Sequence, residues 1–139
     1  MTLVAVHVEV SREIIDAGVP IKPLWHFTCG EHGYPGIGRR GVLEPRLHKL
    51  FPQLGPIVWL TDDPGADREA LGLTQTFIRC DRMAYRYRVT PSYAVRWSDV
   101  RAALVTLRVV APRVLADLEA GREPASWWLT GIAVPAVLA

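Results

Sequence analysis

Residues 57–61 read IVWLT, a compact apolar run that follows Gly55-Pro56 and precedes Asp62-Asp63-Pro64. An apolar run of this length between turn-forming residues is typical of a buried strand. An earlier segment, LWHFT at residues 24–28, has the same character and places a histidine among aromatic and aliphatic side chains. These two segments predict the central strands of a sheet.

Further strands are predicted on both sides of this pair. Alternating or β-branched apolar side chains predict them at residues 3–10, 76–80, 83–90 and 127–135, the last as a closing strand or hairpin. The intervening residues 45–56 and 62–72 are predicted as loops, the second with a turn of helix.

Helices are predicted early and late in the chain. Two short ones cover residues 11–18 and 35–40, and Gly41 is the expected stop of the second. The longest begins at its N-cap Ser98, has a break at Pro112 and ends at Gly121.

The order of these elements decides the fold class. The strands at residues 57–61, 76–80 and 83–90 follow one another without long crossover helices. A parallel sheet needs such crossovers, so we predict an α+β fold with a mainly antiparallel sheet, short early helices and one longer late helix.

The composition is that of one globular domain. The chain has 139 residues, half of them apolar and 22% charged, which provides one core and leaves no room for a second. No apolar run reaches the roughly 18 residues of a membrane span, and the first residues show no secretory signal pattern. We therefore expect a cytoplasmic protein with no membrane partner, in which Cys29 and Cys80 are free thiols.

Three segments in a fixed order carry a family resemblance: HFT at residues 26–28, Ile37-x-x-x-Gly41-Val42-Leu43, and VWLT at residues 58–61. They resemble the opening of NAD-dependent ADP-ribosyltransferases, and two subfamilies are similar. These are the DNA-modifying toxins of the DarT type and the RNA 2′-phosphotransferases of the KptA type. The WWLT of residues 127–130, followed by Val134-Pro135, is also similar to the closing strand of the phosphotransferases.

The resemblance implies one ADP-ribosyltransferase-like domain over residues 1–139, with a split sheet and NAD as the cofactor. It implies that His26 and Thr28 contact a ribose, that Trp59 flanks nicotinamide, and that an arginine reaches the pyrophosphate or the target. The implied NAD-binding residues are His26, Phe27, Thr28, Arg39, Trp59 and Thr61. ADP-ribose would pass to a nucleic-acid or protein acceptor.

The implied catalytic residues are His26, Arg40 and Glu123. Family members carry a glutamate at the start of a late strand, where it orients the ribose 2′-hydroxyl and stabilises positive charge as nicotinamide leaves. Here Ser126 stands at that position and Glu123 lies three residues upstream. Either Glu123 reaches the cleft or the chemistry runs without a glutamate. The alternative is a catalytically silent domain of the same fold that binds nucleic acid or protein.

Arginines alternate with tyrosines in the predicted strand at residues 83–90. Arg86 and Arg88 flank Tyr87, and Arg82 precedes the strand. This pattern is typical first of an ordinary exposed strand face, and it is found as well on surfaces that contact phosphates and stack on the bases of single-stranded nucleic acid.

One pair of zinc-ligand residues, Cys29 and His32, has the spacing C-x₂-H. Structural zinc sites combine two such pairs, and the sequence has no second one. We therefore predict no metal site.

Overall fold

The computed structural model describes residues 23–28, 37, 40–48, 52–71, 73, 83–91 and 94–139. The strands in these residues are β1 (Leu24–Thr28), β2 (Val42–Leu43), β3 (Arg46–Leu47), β4 (Pro56–Thr61), β5 (Tyr85–Val89), β6 (Val95–Arg96), β7 (Trp127–Thr130) and β8 (Val134–Leu138). The helices are α1 (Arg68–Leu71), α2 (Trp97–Thr106) and α3 (Pro112–Glu119), with 3₁₀ turns at Pro52–Leu54 and Pro124–Ser126.

All strand pairs in the described residues are antiparallel, in the order β2-β8-β5-β1-β4-β7-β6, with β3 also paired to β4. The predicted α+β class with a mainly antiparallel sheet is therefore confirmed. The predicted strands at residues 24–28, 57–61 and 83–90 correspond to β1, β4 and β5. The predicted strands at residues 3–10 and 76–80 and the helix at residues 11–18 lie outside the described residues.

Three local predictions were wrong. Residues 45–56 were predicted as loop but contain β3 and a 3₁₀ turn; both β3 side chains are exposed, so no apolar pattern marks this strand. The late helix does not continue up to Pro112, since α2 ends at Thr106 and the chain turns at Arg108, whose φ is 56°; the predicted break at Pro112 itself is confirmed, because α3 begins there. The N-cap is Arg96 rather than Ser98, since the helix already begins at the buried Trp97.

Strands β7 and β8 follow each other in the chain without pairing. Strand β7 pairs with β4 and β6, whereas β8 pairs with β5 and β2. The hairpin alternative for residues 127–135 was therefore wrong. The two strands lie on opposite sides of the junction between β1 and β4, where the register contains a single residue pair, Trp25 with Thr61.

The sheet is strongly bent. In a flat sheet, β2 and β3 would lie at least three strand spacings apart, or about 14 Å. The chain from Leu43 to Arg46 spans at most about 11 Å. Since these residues belong to β2 and β3, the sheet curls until β2 approaches β3.

Two apolar cores result, where the chain length predicted a single one. The helix-side core joins α2 and α3 to β4, β6 and β7 and consists of Leu54, Ile57, Val95, Trp97, Val100, Leu104, Leu115, Trp127 and Leu129. The second core contains Leu24, Ile37, Leu43, Val58, Leu60, Tyr87, Val89, Ala94, Trp128, Val134 and Ala136. Alternation along β1 puts His26 and Thr28 on the same face as Leu24, beside the second core.

Helices α2 and α3 are joined by a polar contact as well as by the helix-side core. Glu119 accepts hydrogen bonds from the Trp97 indole nitrogen at 2.9 Å and from Arg101 Nε at 2.7 Å. No helix among the described residues has both the length and the apolar character needed to cross a membrane.

Candidate functional site

The side chain of His26 bridges β1 and β4 at the point where the strands separate. Continuing the register from the Trp25–Thr61 pair would place Phe27 opposite Trp59. The strands do not pair there; instead, His26 Nδ1 lies 2.8 Å from the carbonyl oxygen of Trp59. Because a carbonyl can only accept, Nδ1 carries the proton and donates it.

The protonation of His26 follows from its surroundings. Burial lowers the pKa of the imidazole below its ordinary value of 6.5, and the hydrogen bond to Trp59 opposes this effect by a smaller amount. The ring is therefore neutral at pH 7, with its proton on Nδ1 and a lone pair on Nε2. His26 can thus offer a hydrogen-bond acceptor to a ligand without disturbing the contact that joins the strands.

Two neighbouring cavities of about 290 and 280 Å³ open at this junction and share His26, His48 and Trp59. The first is also lined by Thr28, Ile37, Arg40, Val42, Leu43, Glu44, Arg46, Leu47, Ile57 and Val58. The second is also lined by Trp25, Phe27, Leu60, Thr61, Leu71, Leu73, Leu118, Arg122 and Trp127. Small-molecule sites have volumes from about 300 Å³ upward, so the two cavities together suit a ligand that places one part in each cavity.

Trp59 forms the aromatic wall between the cavities. Its ring centroid lies 5.4 Å from that of Trp97 and 5.8 Å from that of Trp127, and His48 packs edge-on at 5.7 Å. Trp97 and Trp127 are buried, whereas Trp59 is half-buried. Trp59 is therefore the outer member of a tryptophan cluster and keeps part of its ring available to a ligand.

The charged groups of the cavities come largely from residues outside the predicted site. The first cavity contains Glu44 and Arg46 beside the predicted Arg40. The second contains Arg122, whose Nη1 donates to the Leu118 carbonyl at 2.6 Å. His48 belongs to both. Glu44 directly follows the Gly41-Val42-Leu43 segment, and this position was the one sequence signal that could have identified it.

Most of the predicted site residues meet at the two cavities: His26, Phe27, Thr28, Arg40, Trp59 and Thr61. Thr61 is 1% exposed, and its hydroxyl accepts the Asp63 N–H at 3.1 Å, so this side chain also shapes the end of β4. Arg39 lies outside the described residues.

Glu123 is not brought to His26. It is exposed and lies outside the lining of both cavities. Its backbone N–H donates to the Ala70 carbonyl at 3.1 Å, and its own carbonyl accepts from the backbone N–H and the hydroxyl of Ser126. These contacts fix the turn before β7 and leave the Glu123 side chain in solvent.

The arginines of β5 form a surface next to the second cavity. The register pairs Trp25 with Arg88 and Phe27 with Arg86, so all four share one face, and Val137 lies opposite Arg88. We call these five residues the arginine face. The Arg86 guanidinium lies 4.7 Å from the centroid of the Trp25 ring and donates to the Pro64 carbonyl at 2.8 Å, while Arg88 is exposed. Arg82 lies outside the described residues.

No protein-family model, no curated protein and no solved structure matches this chain. Any assignment of function therefore depends on the sequence segments and on the geometry of the two cavities. In the described part of the chain, no three histidine, cysteine or carboxylate side chains cluster as metal ligands do. Cys29, His32 and Cys80 lie outside that part.

Proposed function

We propose that this chain is an NAD-binding, ADP-ribosyltransferase-like protein that transfers ADP-ribose to a nucleic-acid or protein acceptor. The observation that carries the proposal is the hydrogen bond between the His26 ring and the Trp59 carbonyl. The histidine and the tryptophan of the two family-like segments meet at one junction, where a neutral imidazole nitrogen and an aromatic wall face the same cavities.

Three parts of NAD have partners in this arrangement: a ribose, the nicotinamide and the pyrophosphate. His26 Nε2 accepts a hydrogen bond from a ribose hydroxyl, and the half-buried ring of Trp59 packs against nicotinamide. Arg40, Arg46 and Arg122 supply guanidinium groups for the pyrophosphate, which arginine binds through paired hydrogen bonds. The apolar side chains between these groups exclude water from the reacting part of the ligand.

The arginine face supports a nucleic-acid acceptor. Trp25 and Phe27 belong both to this face and to the lining of the second cavity. A single-stranded nucleic acid that stacks on the aromatic rings and contacts Arg88 through its phosphates would therefore reach the second cavity. The second candidate, a catalytically silent binding module, is favoured by the exposed position of Glu123.

Addition of NAD is expected to raise the melting temperature of the protein. A ligand that binds only the folded state adds about 2.7 kcal/mol to the free energy of unfolding at 100 times its dissociation constant. Thermal-shift titration with NAD measures this effect, and ADP-ribose is the matched ligand that lacks nicotinamide. Absence of any shift at millimolar NAD would contradict the proposal. Incubation with labelled NAD and a mixed pool of nucleic acid and protein then identifies the acceptor.

Replacement of Arg88 by alanine is expected to weaken oligonucleotide binding and to reduce its dependence on salt. Each phosphate contact that is lost from a single strand lowers the slope of log K against log salt by about 0.7. Arg88 is suited to this test because its side chain is exposed, whereas Arg86 also packs on Trp25. Fluorescence anisotropy at several salt concentrations measures the slope. Arg113→Ala, an exposed position on α3, is the control. Equal slopes for Arg88→Ala and the parent would remove the arginine face from the proposal.

A further inference from the structure

Among the described residues that line the two cavities, Glu44 alone carries a carboxylate. Its side chain is exposed and lines the first cavity, whose other described ionisable groups are Arg40, Arg46, His26 and His48. Burial lowers the pKa values of both histidines, so they are neutral at pH 7. Glu44 is therefore the one negative charge that the described lining offers to a bound ligand.

The backbone on both sides of Glu44 is held in place. Leu43 pairs with Val134 of β8, and the Gly41 carbonyl accepts the Ala136 N–H at 3.0 Å. On the other side, Arg46 pairs with Ile57 of β4. The short connection that carries Glu44 is thus fixed at both ends by different parts of the bent sheet. A charged group on such a support needs little reorganisation when a ligand arrives.

We propose that Glu44 is the catalytic carboxylate of this cleft, an inference that rests on the proposed function. The bond between ribose C1′ and the nicotinamide nitrogen breaks, its electron pair leaves with neutral nicotinamide, and the ribose becomes cationic. Glu44 stabilises this cation by its negative charge. An acceptor O–H or N–H then attacks C1′, and its proton passes to the Glu44 carboxylate and on to solvent. With water as the acceptor, the products are ADP-ribose, nicotinamide and one proton.

The location of Glu44 explains how the site works without a late-strand glutamate. Glu123 lies outside the lining of both cavities, whereas the connection between β2 and β3 contributes Glu44 to the lining of the first cavity. The carboxylate therefore approaches the ribose from the early part of the chain.

The test compares Glu44→Gln with the parent in two measurements. The first is calorimetric binding of a ribose mimic with a pyrrolidine ring, which is cationic at pH 7, and of its neutral carbocyclic counterpart. We expect the parent to prefer the cation by tenfold or more, and Glu44→Gln to lose this preference. The second measurement is the rate of nicotinamide release from NAD. This rate should be about 100-fold or more lower in Glu44→Gln than in the parent, the usual effect of removing an electrostatic group that acts in the transition state. NAD affinity itself should change less than about threefold, because NAD carries no cationic ribose before the bond breaks.

Two further variants make the comparison specific. Asp117→Asn removes an exposed carboxylate of α3 that lies outside both cavities, and it should behave as the parent. Glu123→Gln tests the competing carboxylate directly. If Glu44→Gln melts below the parent, Glu44→Asp keeps the charge and should retain the preference for the cation.

The outcomes separate the two proposals. A parent protein that binds neither NAD nor the mimics overturns the proposed function and this inference with it. If the parent binds NAD, and the preference for the cation is lost in Glu123→Gln but kept in Glu44→Gln, the role of Glu44 is overturned and the proposed function stands. A parent that binds both mimics equally well overturns it too.

Discussion

Trp97→Ala is expected to lower the free energy of unfolding by about 3–5 kcal/mol, the usual cost of truncating a buried tryptophan. Trp97 is 1% exposed and packs in the helix-side core against Trp59 and Trp127. The variant also removes the indole N–H that Glu119 accepts, which loosens the contact between α2 and α3. Chemical denaturation of the parent and the variant measures the difference.

Trp59→Ala is the matched comparison, because it removes the same ring from the outer position of the same cluster. Trp59 is half-buried, so less apolar surface returns to water and the cost should be clearly lower, about 1–3 kcal/mol. This variant should also lose NAD affinity, which Trp97→Ala should retain in its folded fraction. Equal stability losses, with normal NAD binding by Trp59→Ala, would show that Trp59 belongs to the core and not to a ligand site.

His26→Ala is expected to lower both stability and NAD affinity, whereas His26→Asn should mainly lower NAD affinity. Alanine leaves the Trp59 carbonyl without its donor, which typically costs about 1–3 kcal/mol. The asparagine amide nitrogen lies close to the position of Nδ1 and restores that donor, but asparagine has no counterpart of Nε2. Melting curves and NAD titrations of the two variants separate the structural role from the binding role. Normal NAD binding by His26→Asn would show that Nε2 does not contact the ligand.

The same residue predicts a pH dependence. The pKa of His26 is lowered in the folded protein, so the unfolded state binds the proton more readily between pH 6.5 and the lower folded-state pKa. The contribution of neutral His26 to the free energy of unfolding is complete above about pH 6.5, and it is lost as the pH falls through the folded-state pKa. Burial lowers the pKa of His48 as well, so both histidines act in the same direction. The loss of stability below pH 6.5 should therefore be smaller in His26→Asn than in the parent.

The sequence was sufficient where the signal is local. The apolar run of β4 between turn-forming residues, and the helix stop predicted at Gly41, depend on neighbouring side chains. Gly41 has a φ of 66°, a conformation that glycine adopts readily, and its N–H donates to the Ile37 carbonyl at 2.7 Å. Such features can be recognised without knowledge of the rest of the chain.

The sequence was insufficient to predict the location of residues that are positioned by pairing between distant strands. Glu44 reaches the first cavity because Leu43 pairs with Val134 and Arg46 pairs with Ile57, and no pattern near Glu44 records these pairs. The hairpin prediction failed for the same reason. Residues 131–133 resemble a hairpin turn in length, but β7 pairs with β4 and β6 whereas β8 pairs with β5 and β2, and no pattern near residues 131–133 records these distant partners.

The separation of β7 from β8 also sets the order in which the molecule can be assembled during synthesis. Strand β8 pairs with both β5 and β2, which are made earlier, so these pairs can form only after β8 has left the ribosome. Until then, one edge of each remains open for pairing with another chain. Pairings between distant residues form slowly, so the interval is long enough for chaperones to compete with aggregation. Strand β8 therefore joins two strands that are made well before it, β2 by about 90 residues and β5 by about 45 residues.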